Sequence, residues 1–164
     1  MRTTIPGQPA LAYLLGGSLL FLVMGIIVTT GLPGWLAPPP SPGARQYTPE
    51  EALGRRVYIR EGCGYCHTQQ VRAPEAEHGY ITRPRDIGPD SQPGDYAYQA
   101  PVLWGTERQG PDLTFTARRH PDREWHLAHL RDPQAIAFGS IMPAFAHLPD
   151  AALEALATYL LTLQ

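Results

Sequence analysis

Cys63-Gly64-Tyr65-Cys66-His67 uses the chain's only two cysteines and places a histidine directly after the second. Two thiols separated by two residues can each add to a vinyl group of one porphyrin and form a thioether. The following imidazole is then carried to the ring face, where it can ligate iron; Cys-x-x-Cys-His is the attachment pattern of c-type haem. Three other readings explain these residues less completely. A structural zinc site takes four ligands, commonly several of them cysteines, and this chain has no second cysteine pair. A thioredoxin-like redox pair belongs beside a βαβ pattern, whereas these flanks are helical or rich in Pro and Gly. A disulfide within the motif would leave His67 without a role.

Iron held by one histidine takes a second axial ligand unless it is meant to bind a substrate. Met1 is the first residue and Met24 lies in an apolar run, so Met142 is the methionine open to a domain built around the haem. It stands in Ser140-Ile141-Met142-Pro143-Ala144-Phe145, where Pro143 biases it toward an extended conformation suited to a presenting loop. A thioether ligand favours ferrous iron and raises the reduction potential. Two alternatives stay open: Met142 as a gap-filling core residue, and a sixth ligand drawn from His78, His120, His126, His129 or His147, of which His147 is nearest the right loop. Arg72 and Arg108 are candidates to neutralise the haem propionates, or else solvated surface charges.

The elements that must position these residues are few. Thr48-Pro49-Glu50-Glu51 reads as a capping box with Pro at the first helical position; Leu53, Val57 and Tyr58 follow at helical spacing, and Gly62 closes the helix just before the motif. Asp122–Arg131 forms a second helix, stopped by Asp132-Pro133. Pro149-Asp150 opens a third over Ala151–Leu163, with Leu153, Leu156, Leu160 and Leu163 as an apolar stripe. No segment alternates as a strand, so the domain is expected to be all-α, a few short helices around one haem. Eighteen prolines and 16 glycines predict long irregular connections, which a small domain tolerates because the cofactor supplies buried apolar surface.

The 164 residues hold one globular domain plus extras. Net charge −2 with no basic cluster excludes a nucleic-acid partner; lysine is absent and all 13 basic residues are Arg. Ala10–Thr30 is a run of 21 uncharged residues. At about 1.5 Å per helical residue it spans roughly 30 Å, the hydrocarbon thickness of a bilayer. A cleaved signal peptide is the alternative, but its apolar region is about 7–15 residues and ends at a small-x-small site, whereas Leu32-Pro33-Gly34-Trp35-Leu36 follows here. The expected organisation is a short cytoplasmic N-terminus at 1–9, a transmembrane anchor at 10–32, a Pro-rich tether at 33–46 and a haem domain at 47–164. Arg2 weakly favours an inside N-terminus, and haem c is attached outside the cytoplasm, so the haem domain is expected on the periplasmic side of a bacterial inner membrane. Gly16, Gly17 and Gly25 leave room for a neighbouring helix.

Beyond the haem motif, an ordered set of residues resembles one family. These are Glu61-Gly62-Cys63 through Cys66-His67-Thr68-Gln69, Trp104-Gly105, Arg108, Gly110-Pro111-Asp112-Leu113, Trp125-His126, His129-Leu130, Asp132-Pro133 and Met142-Pro143-Ala144-Phe145. In order and spacing they are similar to the membrane-anchored monohaem cytochrome c subunit of cbb-type haem–copper oxidases, over most of residues 50–164. The resemblance implies a class I cytochrome c fold in which His67 and Met142 ligate iron and the Pro111 carbonyl accepts from Nδ1–H of His67. It also implies that the first and last helices cross at Gly54 and Tyr159, and it adds Trp104 to the cofactor-binding candidates.

The Pro-rich stretch Ala73–Gly110 is longer than the family's equivalent, and Glu107 stands where a basic residue is expected. That stretch is expected to cover a haem edge or lie on a partner subunit through Tyr80, Tyr96, Tyr98 and Trp104, or else to be a mobile surface loop. The implied function is an electron relay through one haem to a haem–copper subunit that reduces O₂, with a further cytochrome c subunit or donor and membrane lipid as partners. The alternatives are a free-standing anchored cytochrome shuttle and the cytochrome subunit of a nitric oxide reductase.

Overall fold

A computed structural model describes residues 8–78, 88–105 and 108–164; Tyr80 and Glu107 lie outside the described residues. All regular structure among the described residues is helical. The chain divides into two compact units, residues 1–39 and 40–164.

In the first unit, helix α1 (Gln8–Ile26) continues through a π-helical turn (Ile27–Gly31) into α2 (Leu32–Trp35). Pro9–Trp35 is long and apolar enough to cross a membrane. The polar side chains in the π-turn are satisfied within the helix: the Thr29 hydroxyl donates to the Gly25 carbonyl at 2.7 Å and that of Thr30 to the Ile26 carbonyl at 2.6 Å. Such internal satisfaction is what a lipid environment demands, because no water is at hand for a stranded donor.

The second unit is built on α3 (Pro49–Arg60) and α8 (Asp150–Leu160). The expected capping box starts α3: Glu51 N–H donates to Thr48 Oγ1 at 3.3 Å, and Thr48 N–H to Glu51 Oε2 at 2.7 Å. The two helices cross where α3 has no side chain. A Cβ on Gly54 would stand 2.7 Å from Cβ of Tyr159 and run into the Ala155 carbonyl. The buried Tyr159 ring is then held edge-on by Tyr58 at 5.4 Å and Tyr47 at 5.6 Å, and its hydroxyl donates to Gln69 Oε1 at 2.9 Å. The helix crossing thereby fixes the segment that follows the haem motif. Gly54→Ala is expected to cost about 1–3 kcal/mol through overpacking, read as a melting temperature several degrees lower by circular dichroism. An unchanged melt would show that the helices separate freely.

Four short helices complete the unit, α4 (Ala73–His78), α5 (Thr116–Arg119), α6 (Arg123–Arg131) and α7 (Pro133–Ile136), with α6 packed on α8 and α7 on α6. Asp122 caps α6 by accepting from Glu124 N–H at 3.2 Å, and Asp132 caps α7 by accepting from Ala135 N–H at 3.1 Å. The core gathers Val57, Tyr58, Leu127, Leu130, Phe145, Leu153, Leu156 and Leu160.

Two boundaries differ from the sequence expectation. Helix α8 ends at Leu160, and Leu163 reaches the core from a terminal turn in which its N–H donates to the Leu160 carbonyl at 3.1 Å. The compact unit begins at Pro40, ahead of the expected start at 47, because the second half of the Pro-rich segment is bonded to it. Ser41 N–H donates to the Gly94 carbonyl at 3.2 Å, Ser41 Oγ pairs with Asp95, and the Arg45 guanidinium donates to the Thr162 carbonyl at 2.7 Å.

Candidate haem site

Helix α3 delivers the chain to the motif through one left-handed residue. Gly62 has φ 75°, a conformation in which a Cβ is disfavoured, and a Cβ there would also stand 2.9 Å from the Tyr65 ring. Cys63–Tyr65 forms a single 3₁₀ turn, and the Cys63 carbonyl accepts from both Cys66 N–H (3.2 Å) and His67 N–H (3.0 Å). Both thiols are unbridged. Cys63 is half-buried against the core, and burial pushes its thiol up to about 12. Cys66 Sγ lies 3.6 Å from Gln109 Oε1.

His67 is bracketed. Gly110 N–H donates to the Cys66 carbonyl at 2.9 Å and Leu113 N–H to the Thr68 carbonyl at 2.9 Å. Between these two bonds, Nδ1 of His67 meets the Pro111 carbonyl at 2.7 Å. Since a carbonyl only accepts, Nδ1 carries the proton and Nε2 is the tautomer's lone-pair nitrogen. Burial holds the imidazole below its usual value, against the opposing pull of the Pro111 carbonyl. Gly110 makes the approach possible: a Cβ there would lie 2.7 Å from Nδ1 and 2.9 Å from Nε2 of His67.

A buried polar cluster backs this bracket. Asp112, 1% exposed, accepts from Thr68 Oγ1 and from Gln70 N–H (2.9 Å) through Oδ2, and from Thr114 N–H (2.8 Å) through Oδ1. Arg108 donates from Nε to Thr68 Oγ1 at 2.6 Å and from Nη2 to the Gln70 carbonyl at 2.5 Å, and its Nη1 pairs with Glu75 of α4. Burial of Glu75 raises its carboxyl, but Arg108 and Arg72 outweigh this and hold it below the usual carboxylate range. Three nitrogens of Arg108 are thus engaged by the polypeptide. Arg72, 46% exposed, pairs with Glu75 at 3.7 Å.

The remaining candidates are placed around this centre. Met142 is half-buried on the same apolar cluster that Cys63, Leu103 and Leu113 pack against. Its loop is tied to α6 by Phe145 N–H, which donates to the Leu130 carbonyl at 2.8 Å. Trp104 is half-exposed and edge-on to Tyr96 at 5.6 Å; the Tyr96 hydroxyl donates to the Gln69 carbonyl at 2.8 Å, while Tyr98 is half-exposed. His120 and His129 both stack on Trp125, with centroids 3.5 and 4.8 Å away, and His147 lies 3.8 Å from Glu61.

His126 is buried, with Nε2 at 2.8 Å from the His120 carbonyl, and burial holds its imidazole below the ordinary value of 6.5. Below pH about 6.5 the unfolded chain binds a proton that the folded chain does not, so stability is full above that pH and falls on acidification. His126→Gln should reduce the proton uptake on unfolding between pH 7.5 and 5.5 by up to about one; an unchanged pH dependence of the melting temperature would contradict a neutral, buried His126.

The residues present fit a covalent haem. Two free thiols share one turn, one imidazole is oriented through Nδ1, a missing Cβ accommodates that ring, and Leu103, Leu113 and Met142 offer half-buried apolar surface. Sequence reasoning named Gly110 and Asp112 only as parts of a motif; their roles arise from contacts across more than forty residues. Ile136, Phe138 and Ile141 are exposed in and before the Met142 loop, a feature signalled only by the absence of charge from 133 to 146. The family described as cytochrome C oxidase, mono-heme subunit/FixO matches residues 12–161. None of the curated proteins matches the chain.

Proposed function

Because the chain belongs to the family of mono-haem subunits of cytochrome c oxidase, we propose that it relays single electrons through one c-type haem to a haem–copper subunit that reduces O₂. Bound haem supplies a one-electron ferric/ferrous couple. Cys63 and Cys66 would hold it through thioethers, and His67, from Nε2, and Met142 would be the residues that ligate its iron. With His67 and Met142 both committed to the haem, this chain would transfer electrons and leave oxygen chemistry to another chain.

The observation that carries this reading is the 2.7 Å contact between His67 Nδ1 and the Pro111 carbonyl, on a turn whose two thiols are free. It leaves Nε2 as the nitrogen available to iron and would increase its basicity, a standard arrangement behind metal-bound histidine. Arg72, half-exposed beside Glu75, is the better placed of the two arginines to meet a propionate, and Trp104 to cover a ring edge. The apolar helix Pro9–Trp35 would anchor the chain with the haem domain on the periplasmic face.

Purification in mild detergent tests the assignment. The chain should elute with a multi-helix haem subunit, and the complex should consume O₂. Elution alone, or with a partner that reduces nitric oxide and not O₂, would refute the oxidase reading.

A further inference from the structure

We propose that Asp112 is a positioning residue for the His67 ligand, clamped by Thr68 and Arg108 so that the Pro111 carbonyl stays on Nδ1–H. The inference rests on the haem reading above and concerns what holds the acceptor, not the acceptor itself.

Pro111 has no side-chain bond of its own, and its neighbour Gly110 contributes no side chain to lock the loop. The carbonyl position is therefore set by the anchoring of residues 108–113. Two backbone bonds hold the ends, Gly110 to Cys66 and Leu113 to Thr68. The side chains that lock the middle converge on Asp112 and Thr68. Asp112 stitches its own loop to Thr68 and Gln70, and the Thr68 hydroxyl, fully buried, donates to Asp112 while accepting from Arg108 Nε. One hydroxyl thus joins the carboxylate and the guanidinium.

A buried carboxylate is costly unless its oxygens are satisfied and a counter-charge is near. Asp112 meets both conditions, with three donors and Arg108 at 3.6 Å. Arg108 in turn pairs with Glu75, so α4 is joined to the ligand site through side chains. A cluster satisfied to this degree resists displacement, because each broken bond strands a buried group. Its rigidity is transmitted one residue along the chain to the Pro111 carbonyl. A firmly held acceptor increases imidazolate character at His67 and favours ferric iron; a loosened one favours ferrous iron.

Thr68→Val keeps the volume and the charge of Asp112 while deleting the shared hydroxyl, so it separates positioning from simple charge. In the full-length, haem-loaded chain in detergent, haem per chain is measured as pyridine haemochrome and the midpoint potential by redox titration. Thr68→Val and Asp112→Asn should each retain one haem and raise the potential, with the ferrous-to-ferric ratio at fixed ambient potential increased about threefold or more, ~28 mV at about 59 mV per tenfold. Thr68→Ser should restore the wild-type value. If Asp112→Asn fails to fold, Thr68→Val decides alone; loss of haem from Thr68→Val with Thr68→Ser intact also assigns the hydroxyl to the site. A haem-loaded Thr68→Val with the wild-type potential overturns the proposal. Absence of haem from the wild-type chain would instead overturn the haem reading, a result distinct from matched potentials.

Discussion

Gly110→Ala is expected to yield a chain with roughly tenfold less covalent haem, or none. The new Cβ would lie 2.7 Å from Nδ1 and 2.9 Å from Nε2 of His67, closer than any non-bonded carbon can rest. The imidazole cannot yield by a small rotation, because Nδ1 is fixed on the Pro111 carbonyl and the flanking backbone is bonded on both sides. Overpacking of this kind costs about 1–3 kcal/mol, and each ~1.4 kcal/mol is a factor of ten in the population of the competent geometry. Haem per chain after expression with intact maturation machinery is the readout. Wild-type stoichiometry in Gly110→Ala would show that the His67 ring is not held against Gly110 in the haem-loaded chain.

Met142→Ala should leave covalent haem in place and change its redox behaviour. On the proposed attachment the thioethers would depend on Cys63 and Cys66, whereas the sixth ligand would come from the loop that Phe145 ties to α6. Removing the methionine side chain would withdraw the ligand that favours ferrous iron, so the midpoint potential should fall by more than ~59 mV, a shift of over tenfold in the redox equilibrium. The charge-transfer band of methionine bound to ferric iron should vanish. Retention of both the band and the potential would transfer the ligand role to another side chain. His147 would be the first to test, since it follows in the same loop and lies 3.8 Å from Glu61.

The local parts of this fold were legible because their signals are local. The Thr48–Glu51 capping box and the helix stop at Gly62 each depend on residues at most three positions apart, and the structure shows both. Gly54 against Tyr159 was accessible only through family resemblance, since nothing near Gly54 marks what will approach it. The Arg108–Asp112–Thr68–Glu75 cluster had no comparable signal. Its hydrogen-bonded partners are separated by 33 to 44 positions, and buried carboxylate and guanidinium look in sequence like any surface pair. In sequence Arg108 reads as either a propionate partner or a solvated surface charge, while the structure engages three of its nitrogens within the polypeptide. For the same reason the Pro-rich segment read as a tether up to residue 46 although Ser41 and Arg45 bond to the domain.

The proposed electron relay depends on one haem covalently held at Cys63 and Cys66. Denaturing the purified full-length chain in alkaline pyridine measures it most directly, because only thioether-linked haem stays with the polypeptide through acid–acetone extraction and denaturation. The expected result is the c-type haemochrome spectrum at one haem per chain, lost in Cys63→Ser/Cys66→Ser. A wild-type chain with no covalent haem, produced where other c-type cytochromes mature normally, would contradict it.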